Sequence, residues 1–327
     1  MMEYTKLGKT GMDVSRICLG AMSFGDPNKW IHNWVLSKQQ AESIVKEAVN
    51  IGINFFDTAN VYGIGSSEEI LGDLLNKYTK RHEVVLATKL SEPMRSTPNG
   101  CGLSRKEIFY EVECSLKRLQ TDYLDLLYIH RFDSQTDLAE TLSALNDLVR
   151  SGKVLALGAS SMAAWQFQKA QYLALKNNWT PFSVMQNHYN LLYREEEREM
   201  IPLCQDLGVA LVPYSPLAAG RLARINQGQS LRAKNDRIAQ QKYDKTLQQD
   251  SLIIKRVAQL AQKYDVSMTQ IALAWLYAKG VCAPILGVTK VQYLTDYSSS
   301  FEVCISKDDI AYLEELYEPH KIVGYNI

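Results

Sequence analysis

Four polar side chains of different chemistry lie close to the ends of apolar runs. Asp57, Lys89 and His130 each end such a run, and Tyr62 follows Asp57 by five positions. A parallel strand that is buried on both faces seldom carries a polar residue, so polar residues at strand ends suggest a functional site. A carboxylate, an amine, an imidazole and a phenol together can move a proton to or from a carbonyl oxygen.

Tyr62 is predicted to be the acid of this set, since a carbonyl that accepts a hydride also needs a proton on its oxygen. A free tyrosine has a pKa of about 10. An ammonium ~4 Å away favours the phenolate by ~4 kcal/mol at an effective dielectric near 20. Burial opposes this effect, so we expect a smaller net lowering of the pKa. Asp57 would keep Lys89 charged, and a neutral His130 would donate a hydrogen bond to the substrate oxygen.

Each of these residues also has a structural explanation when it is taken alone. Asp57 could cap a helix, Tyr62 could pack at the surface, Lys89 could be solvated and His130 could be a core histidine. Their occurrence together at three successive strand ends favours one shared site over four separate coincidences.

The composition excludes several classes of function. Lys and Arg number 36 and Asp and Glu also number 36, so no basic excess calls for nucleic acid or an anionic membrane. The six cysteines include no C-x-x-C pair, which predicts reduced thiols and no metal site. Without an apolar leader or a run of membrane length, we expect a cytoplasmic protein. The charged run 194–199 is interpreted as the solvated start of a helix.

Strand-length apolar runs alternate with helical periodicity eight times along the 327 residues. This alternation predicts an α/β fold, a (β/α)8 TIM barrel that forms a single domain over 1–327. An N-terminal β-hairpin over 4–15 and an extra C-terminal helix over 307–317 flank the barrel. The eight predicted strands cover 16–20, 54–57, 84–89, 124–129, 154–159, 183–185, 210–214 and 282–286.

Two further features bear on the fold. The doubly wound dinucleotide fold is the alternative, but the first strand ends in Leu19-Gly-Ala-Met-Ser-Phe-Gly25, which lacks the G-x-G-x-x-G spacing. The polar stretch 218–250 after the seventh strand is too long for a turn, and we expect a mobile flap there.

The strand ends of the second half present groups that suit a nicotinamide dinucleotide. Ser160 and Ser161 offer hydroxyls, Gln186 an amide and Tyr214 a flat ring. The turn 287–290 offers backbone N–H groups and a lysine to a phosphate at a helix start. These groups match a carboxamide, a ring, a pyrophosphate and a 2′-phosphate.

Together these motifs resemble the aldo-keto reductase family along nearly the whole chain. The matching runs are 6–8, 19–20, 56–63, 88–89, 129–130, 158–160, 186–187, 214–217 and 287–290. The runs 189–200 and 319–324 resemble the bacterial YajO-like branch of that family.

The resemblance implies reduction of small aldehydes and ketones with NADPH. It implies a catalytic tetrad of Asp57, Tyr62, Lys89 and His130, with Tyr62 as the proton donor. It also implies cofactor contacts from Gly20, Met22, Asp57, Ser160, Ser161, Gln186, Tyr214, Ser215, Pro216, Leu217, Gly220, Arg221, Gly287, Thr289 and Lys290.

Two positions depart from the family pattern. Ser161 stands where many members have asparagine, and Lys290 stands where many have an arginine for the 2′-phosphate. Lysine is a point charge and not a bidentate fork, so NADPH is the expected cofactor while use of NADH stays open.

The sequence also suggests which residues form the substrate pocket, and it leaves two alternative functions open. Pocket walls are expected from Met22, Phe24, Trp30, Trp34 and the loops 91–101 and 218–250, although the two tryptophans could equally be packing residues. One alternative is a lyase in which Lys89 forms a Schiff base. Another, which the resemblance suggests, is a cofactor-binding regulatory subunit. A monomer and a homo-oligomer both stay open.

Overall fold

A computed structural model describes residues 2–225 and 235–325. Ten strands lie in the described ranges, two in a hairpin and eight in a parallel sheet. They are β1 (Tyr4–Lys6), β2 (Asp13–Ser15), β3 (Cys18–Gly20), β4 (Phe55–Asp57), β5 (Val85–Leu90), β6 (Leu124–Ile129), β7 (Val154–Ser160), β8 (Phe182–Gln186), β9 (Ala210–Leu211) and β10 (Ile285–Gly287).

Helices follow the strands as the periodicity predicts. The first begins after Ser37, whose backbone N–H donates to Gln40 Oε1 at 3.0 Å in a capping box. The α-helices of the described residues are α1 (Lys38–Asn50), α2 (Ser66–Tyr78), α3 (Arg105–Leu119), α4 (Leu138–Arg150), α5 (Ala164–Lys176), α6 (Met200–Leu207), α7 (Arg237–Tyr243), α8 (Leu247–Tyr264), α9 (Met268–Ala278), α10 (Tyr293–Ser298) and α11 (Lys307–Glu314).

The parallel sheet closes on itself. Its strands run in the order β10-β3-β4-β5-β6-β7-β8-β9. The two edges meet where the Cys282 N–H donates to the Leu211 carbonyl at 2.9 Å and the Ile285 N–H donates to the Pro213 carbonyl at 2.9 Å. The predicted (β/α)8 barrel is therefore confirmed, and the C-terminal ends of its strands share one face.

Apolar residues fill the barrel from the opposite end. Leu7 and Val14 of the hairpin are fully buried and belong to a cluster with Phe55, Leu126 and Val184 inside the barrel. A larger apolar cluster lies between the strands and the surrounding helices. With its lower half packed, the barrel leaves room for ligands only at the C-terminal ends of the strands.

The long segment after β9, for which a mobile flap is expected, contains regular secondary structure. Its described part contains a 3₁₀ turn, Ala218–Gly220, and the helix α7, while 226–234 lie outside the described residues. Tyr243 at the end of α7 is buried, and its hydroxyl lies 2.7 Å from His188 Nε2. This anchor packs α7 onto the barrel, which a count of polar residues along the sequence could not reveal.

The charged run 194–199 is not a solvated helix start, so that interpretation is wrong. Glu195 and Glu196 are buried in a 3₁₀ turn, and α6 begins only at Met200. The Glu195 carboxylate accepts hydrogen bonds from the Tyr317 hydroxyl at 2.7 Å and the His320 N–H at 2.8 Å. The glutamates are buried because they hold the C-terminal segment, which is distant in sequence.

The cysteines and the helices bear on two expectations from composition. All six cysteines are free thiols; Cys18 and Cys204 are buried, whereas Cys101 and Cys304 are exposed. No helix within 2–225 or 235–325 combines the length and the apolar character needed to cross a membrane.

Candidate active site

Lys89 lies at the centre of the predicted proton-transfer set. Its ammonium donates to the Asp57 carboxylate, to the Thr58 carbonyl at 2.7 Å and to the Tyr62 hydroxyl at 3.4 Å. The side chain of Lys89 is completely buried and that of Asp57 is 3% exposed. The ammonium is thus held between the carboxylate and the phenol, with no room to swing away.

The other two groups reach the same point from neighbouring elements. Tyr62 begins the short 3₁₀ turn Tyr62–Gly65 after β4, and His130 directly follows β6. Their rings meet edge to face, with centroids 5.8 Å apart at 83°. Parallel strands end at one face of the barrel, so residues far apart in sequence converge here.

Burial and pairing decide the charges of the set. Burial acts to lower the pKa of Lys89, but the Asp57 carboxylate outweighs it and raises that pKa above its usual value. Lys89 is therefore a cation at neutral pH. Burial, assisted by the charges of Arg131 and Lys89, holds the pKa of His130 well below its ordinary value, so this imidazole is neutral.

The direction of the Tyr62 shift differs from the expectation. Burial raises the pKa of Tyr62, and the opposing effect of Lys89 does not reverse it. The net lowering predicted from the ammonium alone is therefore absent, because desolvation of the phenolate is the larger effect. A raised pKa keeps the phenol protonated, which is the state a proton donor requires.

A cavity of about 900 Å³ opens beside Tyr62 and His130. It extends along the barrel mouth towards Lys290 and Tyr293. Most residues for which a cofactor contact was expected line it: Gly20, Met22, Asp57, Ser160, Gln186, Tyr214, Ser215, Pro216, Leu217, Gly220, Gly287, Thr289 and Lys290.

Two residues of the expected cofactor set are directed elsewhere. The Ser161 hydroxyl donates to the Tyr214 hydroxyl at 3.3 Å, so it orients that ring from behind. Arg221 pairs with Asp244 at 2.6 Å and lies over the Tyr243 ring at 4.8 Å, so it ties the 3₁₀ turn Ala218–Gly220 to α7. Both residues support the cavity wall without forming it.

Only some of the residues expected to form the substrate pocket line the cavity. Met22, Trp30 and Trp34 line the cavity, whereas Phe24 is buried in the apolar core. Of the loop 91–101, Glu92 lines the cavity. Trp30 contacts Tyr62, with ring centroids 5.5 Å apart.

Tyr214 is the end of an aromatic stack. His188 lies against one of its faces, with centroids 5.3 Å apart at 10°, and Tyr193 lies 4.2 Å beyond His188. Lys242 of α7 holds its ammonium 4.7 Å from the centre of the Tyr214 ring. Burial raises the pKa of Tyr214, but Lys242 and Arg131 outweigh it and lower that pKa.

A hydrogen bond connects the proton-transfer set with the residues expected to contact the cofactor. The Gln186 side-chain amide donates to Asp57 Oδ2 at 3.0 Å, so β8 supports the carboxylate that holds Lys89. At the far end of the cavity, α10 begins at Tyr293, three positions after Lys290, and spans six residues. Because so short a helix has little dipole, any attraction for a phosphate there depends on Lys290 itself.

Sequence reasoning missed several residues of the site. Arg131, His188 and Lys242 were not predicted to belong to it, although Arg131 directly follows His130. Adjacency to a predicted site residue was the only signal for Arg131. His188 and Lys242 join through the packing of Tyr214 and α7, which has no local sequence signature.

The structure is a (β/α)8 barrel with a buried lysine–carboxylate pair, a phenol and a neutral imidazole at its mouth, an arrangement that suits proton transfer to or from a bound oxygen atom. The aldo/keto reductase family model matches residues 16–318. This protein belongs to the aldo/keto reductase family and is an oxidoreductase.

Several curated relatives are similar over nearly their full length. An aldo-keto reductase of Fusarium vanettenii is 44% identical, with 99% of this chain and 93% of the relative covered. A putative aryl-alcohol dehydrogenase of Schizosaccharomyces pombe is 43% identical, with 98% and 97% covered. The versiconal hemiacetal acetate reductase of Aspergillus parasiticus is 42% identical, with 98% of each chain covered.

These relatives correct one expectation. They are fungal proteins, so the comparisons support the family and carbonyl reduction but not the bacterial YajO-like branch. The runs that suggested the branch, 189–200 and 319–324, contact each other in the fold through Glu195 and His320.

Proposed function

We propose that the protein reduces aldehydes or ketones to alcohols with NADPH. The observation that carries this proposal is the buried Lys89 ammonium, which bonds Asp57 on one side and the Tyr62 hydroxyl, 3.4 Å away, on the other. A protonated phenol that faces a cavity while a fixed cation adjoins it can release its proton to a substrate oxygen.

The chain's own residues would act as follows. Tyr62 donates its proton to the carbonyl oxygen as negative charge develops there, and Lys89 stabilises the resulting phenolate. Asp57 keeps Lys89 charged and in place, and the Gln186 amide orients Asp57 at 3.0 Å. His130 is neutral and donates a hydrogen bond to the same oxygen.

The residues along the cavity fit a nicotinamide dinucleotide by their donor chemistry. Ser160 and Gln186 supply a hydroxyl and an amide for the carboxamide, and Tyr214 supplies a ring fixed from behind by His188. Lys290 forms no ion pair with a described residue, so its charge is available to a phosphate. When bound, the cofactor supplies the hydride. Because Lys290 suits the 2′-phosphate, we propose NADPH as the preferred form.

Aromatic carbonyl compounds are the substrate class that the site favours. Trp30 lies beside Tyr62, and His32 lies 4.6 Å from Trp30 at 89°. Such rings stack with or contact an aryl group edge to face. The name of the Schizosaccharomyces pombe relative, putative aryl-alcohol dehydrogenase, agrees with this substrate class.

The lyase alternative is disfavoured by the same geometry. A Schiff base needs a neutral amine, and Asp57 raises the pKa of Lys89 although burial acts against it. For the regulatory-subunit alternative, binding of a cofactor alone gives no reason for Asp57, Tyr62 and His130 to line one cavity with the Lys89 ammonium behind them. Both alternatives predict no consumption of NADPH with aldehydes.

The test is turnover by a Tyr62→Phe variant. We expect NADPH oxidation with benzaldehyde to fall by a factor of ~10²–10⁴, the usual contribution of a positioned acid. The affinity for NADPH, measured by fluorescence titration, should stay near that of the wild type. Tyr172→Phe, on an exposed tyrosine of α5, is the matched control. Undiminished turnover by the Tyr62 variant would overturn the assignment of the proton donor.

A further inference from the structure

One cation in the cavity wall takes no part in the proposed proton transfer. Arg131 directly follows His130 and lines the same cavity as Tyr62 and Trp30. Its side chain is 23% exposed, so most of the guanidinium lies within the wall. A partly buried cation is costly to desolvate, and the ion pair of Arg131 with Glu92, at 3.8 Å, is a loose one.

The guanidinium uses only part of its donor capacity. Nη1 donates to the His130 carbonyl at 2.6 Å. Nε lies 3.8 Å from Glu92 Oε1, which is beyond hydrogen-bonding distance. Within the described ranges, Nε and Nη2 donate to no other group. A guanidinium carries five N–H donors in a planar fork, so one edge of Arg131 is left for a ligand.

The position of this charge can be read from its neighbours. Arg131 acts, after burial, to lower the pKa of His130, and it is among the charges that lower the pKa of Tyr214. It also opposes the burial that raises the pKa of Tyr62. The charge therefore acts on all three rings, which line the same cavity as Arg131.

We infer that Arg131 binds a carboxylate carried by the substrate, so that the preferred substrates are aromatic aldehydes with an acidic substituent. This inference rests on the proposed function. The aldehyde oxygen would lie between Tyr62 and His130, the ring against Trp30, and the carboxylate on the open edge of Arg131. A planar fork matches a carboxylate with two parallel hydrogen bonds. The carboxylate itself is unchanged: the aldehyde gains a hydride and a proton and becomes the alcohol.

Glu92 provides a second test of whether the charge of Arg131 attracts the substrate carboxylate. Its carboxylate also lines the cavity, 3.8 Å from Arg131, and competes for the same guanidinium. Neutralising Glu92 should strengthen binding of an acidic substrate, whereas neutralising Arg131 should weaken it. A residue with a merely structural role would not produce opposite effects that depend on the charge of the substrate.

The experiment compares kcat/KM for 2-, 3- and 4-formylbenzoate with that for their methyl esters. Each pair has one ring geometry and differs in charge. We expect the wild type to prefer at least one acid over its ester. Arg131→Gln should lower that acid-to-ester ratio by ~10- to 100-fold, the usual range for a charge-assisted hydrogen bond. Glu92→Gln should raise the ratio.

The outcomes separate this inference from the proposed function. Reduction of the esters without any preference for the acids would overturn the role of Arg131 and leave the reductase assignment standing. An equal loss on acid and ester in Arg131→Gln would also overturn it. If neither esters nor benzaldehyde were reduced by the wild type, the proposed function itself would fail. Ester turnover by each variant also shows that the variant is folded.

Discussion

Replacing Lys89 by methionine tests the charge on which the proposed chemistry depends. The ammonium lies 3.4 Å from the Tyr62 hydroxyl, so at an effective dielectric of 20 it favours the phenolate by about 5 kcal/mol. That energy corresponds to an upper bound of ~3–4 pKa units for Tyr62. Without the ammonium, burial and the charge of Asp57 would both act to raise the pKa of this phenol, which is already raised and would rise further.

The assay is the pH dependence of both reaction directions. Alcohol oxidation needs the phenolate as a base, so its kcat/KM in Lys89→Met should increase only at a pH well above that of the wild type. Aldehyde reduction should fall by ~10²–10⁴-fold, because the phenolate that forms is no longer stabilised.

Loss of fold must be distinguished from loss of chemistry. Lys89→Met leaves Asp57 buried without its cation, which costs about 3–5 kcal/mol of the free energy of unfolding. The double variant Asp57→Asn/Lys89→Met removes both charges and should recover most of that stability in urea denaturation, but not the activity. Wild-type pH profiles in Lys89→Met, or activity regained together with stability in the double variant, would refute the reasoning.

Two further predictions concern other charges. Burial raises the pKa of Glu196 to about 7, although Tyr325 and Asn187 donate hydrogen bonds to its carboxylate. Between the ordinary pKa of a glutamate and pH 7, Glu196 is therefore protonated in the folded protein and ionised in the unfolded chain. Stability from this group is therefore present at low pH and is lost as the pH rises through 7, by up to ~3 kcal/mol. In Glu196→Gln, the free energy of unfolding from urea denaturation should lose that part of its difference between pH 5 and pH 8. An unchanged difference would contradict the assignment. Lys290→Met should raise the Kd of NADPH by ~10-fold in fluorescence titration and that of NADH much less, because only NADPH carries the 2′-phosphate. Equal effects on both cofactors would show that Lys290 does not bind the 2′-phosphate.

The sequence by itself determined the barrel and the meeting of its strand ends. Apolar runs of strand length alternate with helical periodicity, and an eightfold alternation of that kind has one common solution, a closed parallel barrel. Because parallel strands end on one face, the residue types at positions 57, 89 and 130 were enough to bring a carboxylate, an amine and an imidazole together. No side-chain geometry was needed for that step.

Tertiary structure decided which side chains reach the cavity and what charge they carry. Ser161 turns to the Tyr214 hydroxyl while Arg131 lines the cavity, although both directly follow a predicted site residue. The pKa of Tyr62 depends on the balance between burial and Lys89, and Glu196 is buried by a C-terminal segment more than a hundred residues away. Orientation and desolvation depend on neighbours that are remote in sequence, so the local pattern of residues does not contain them.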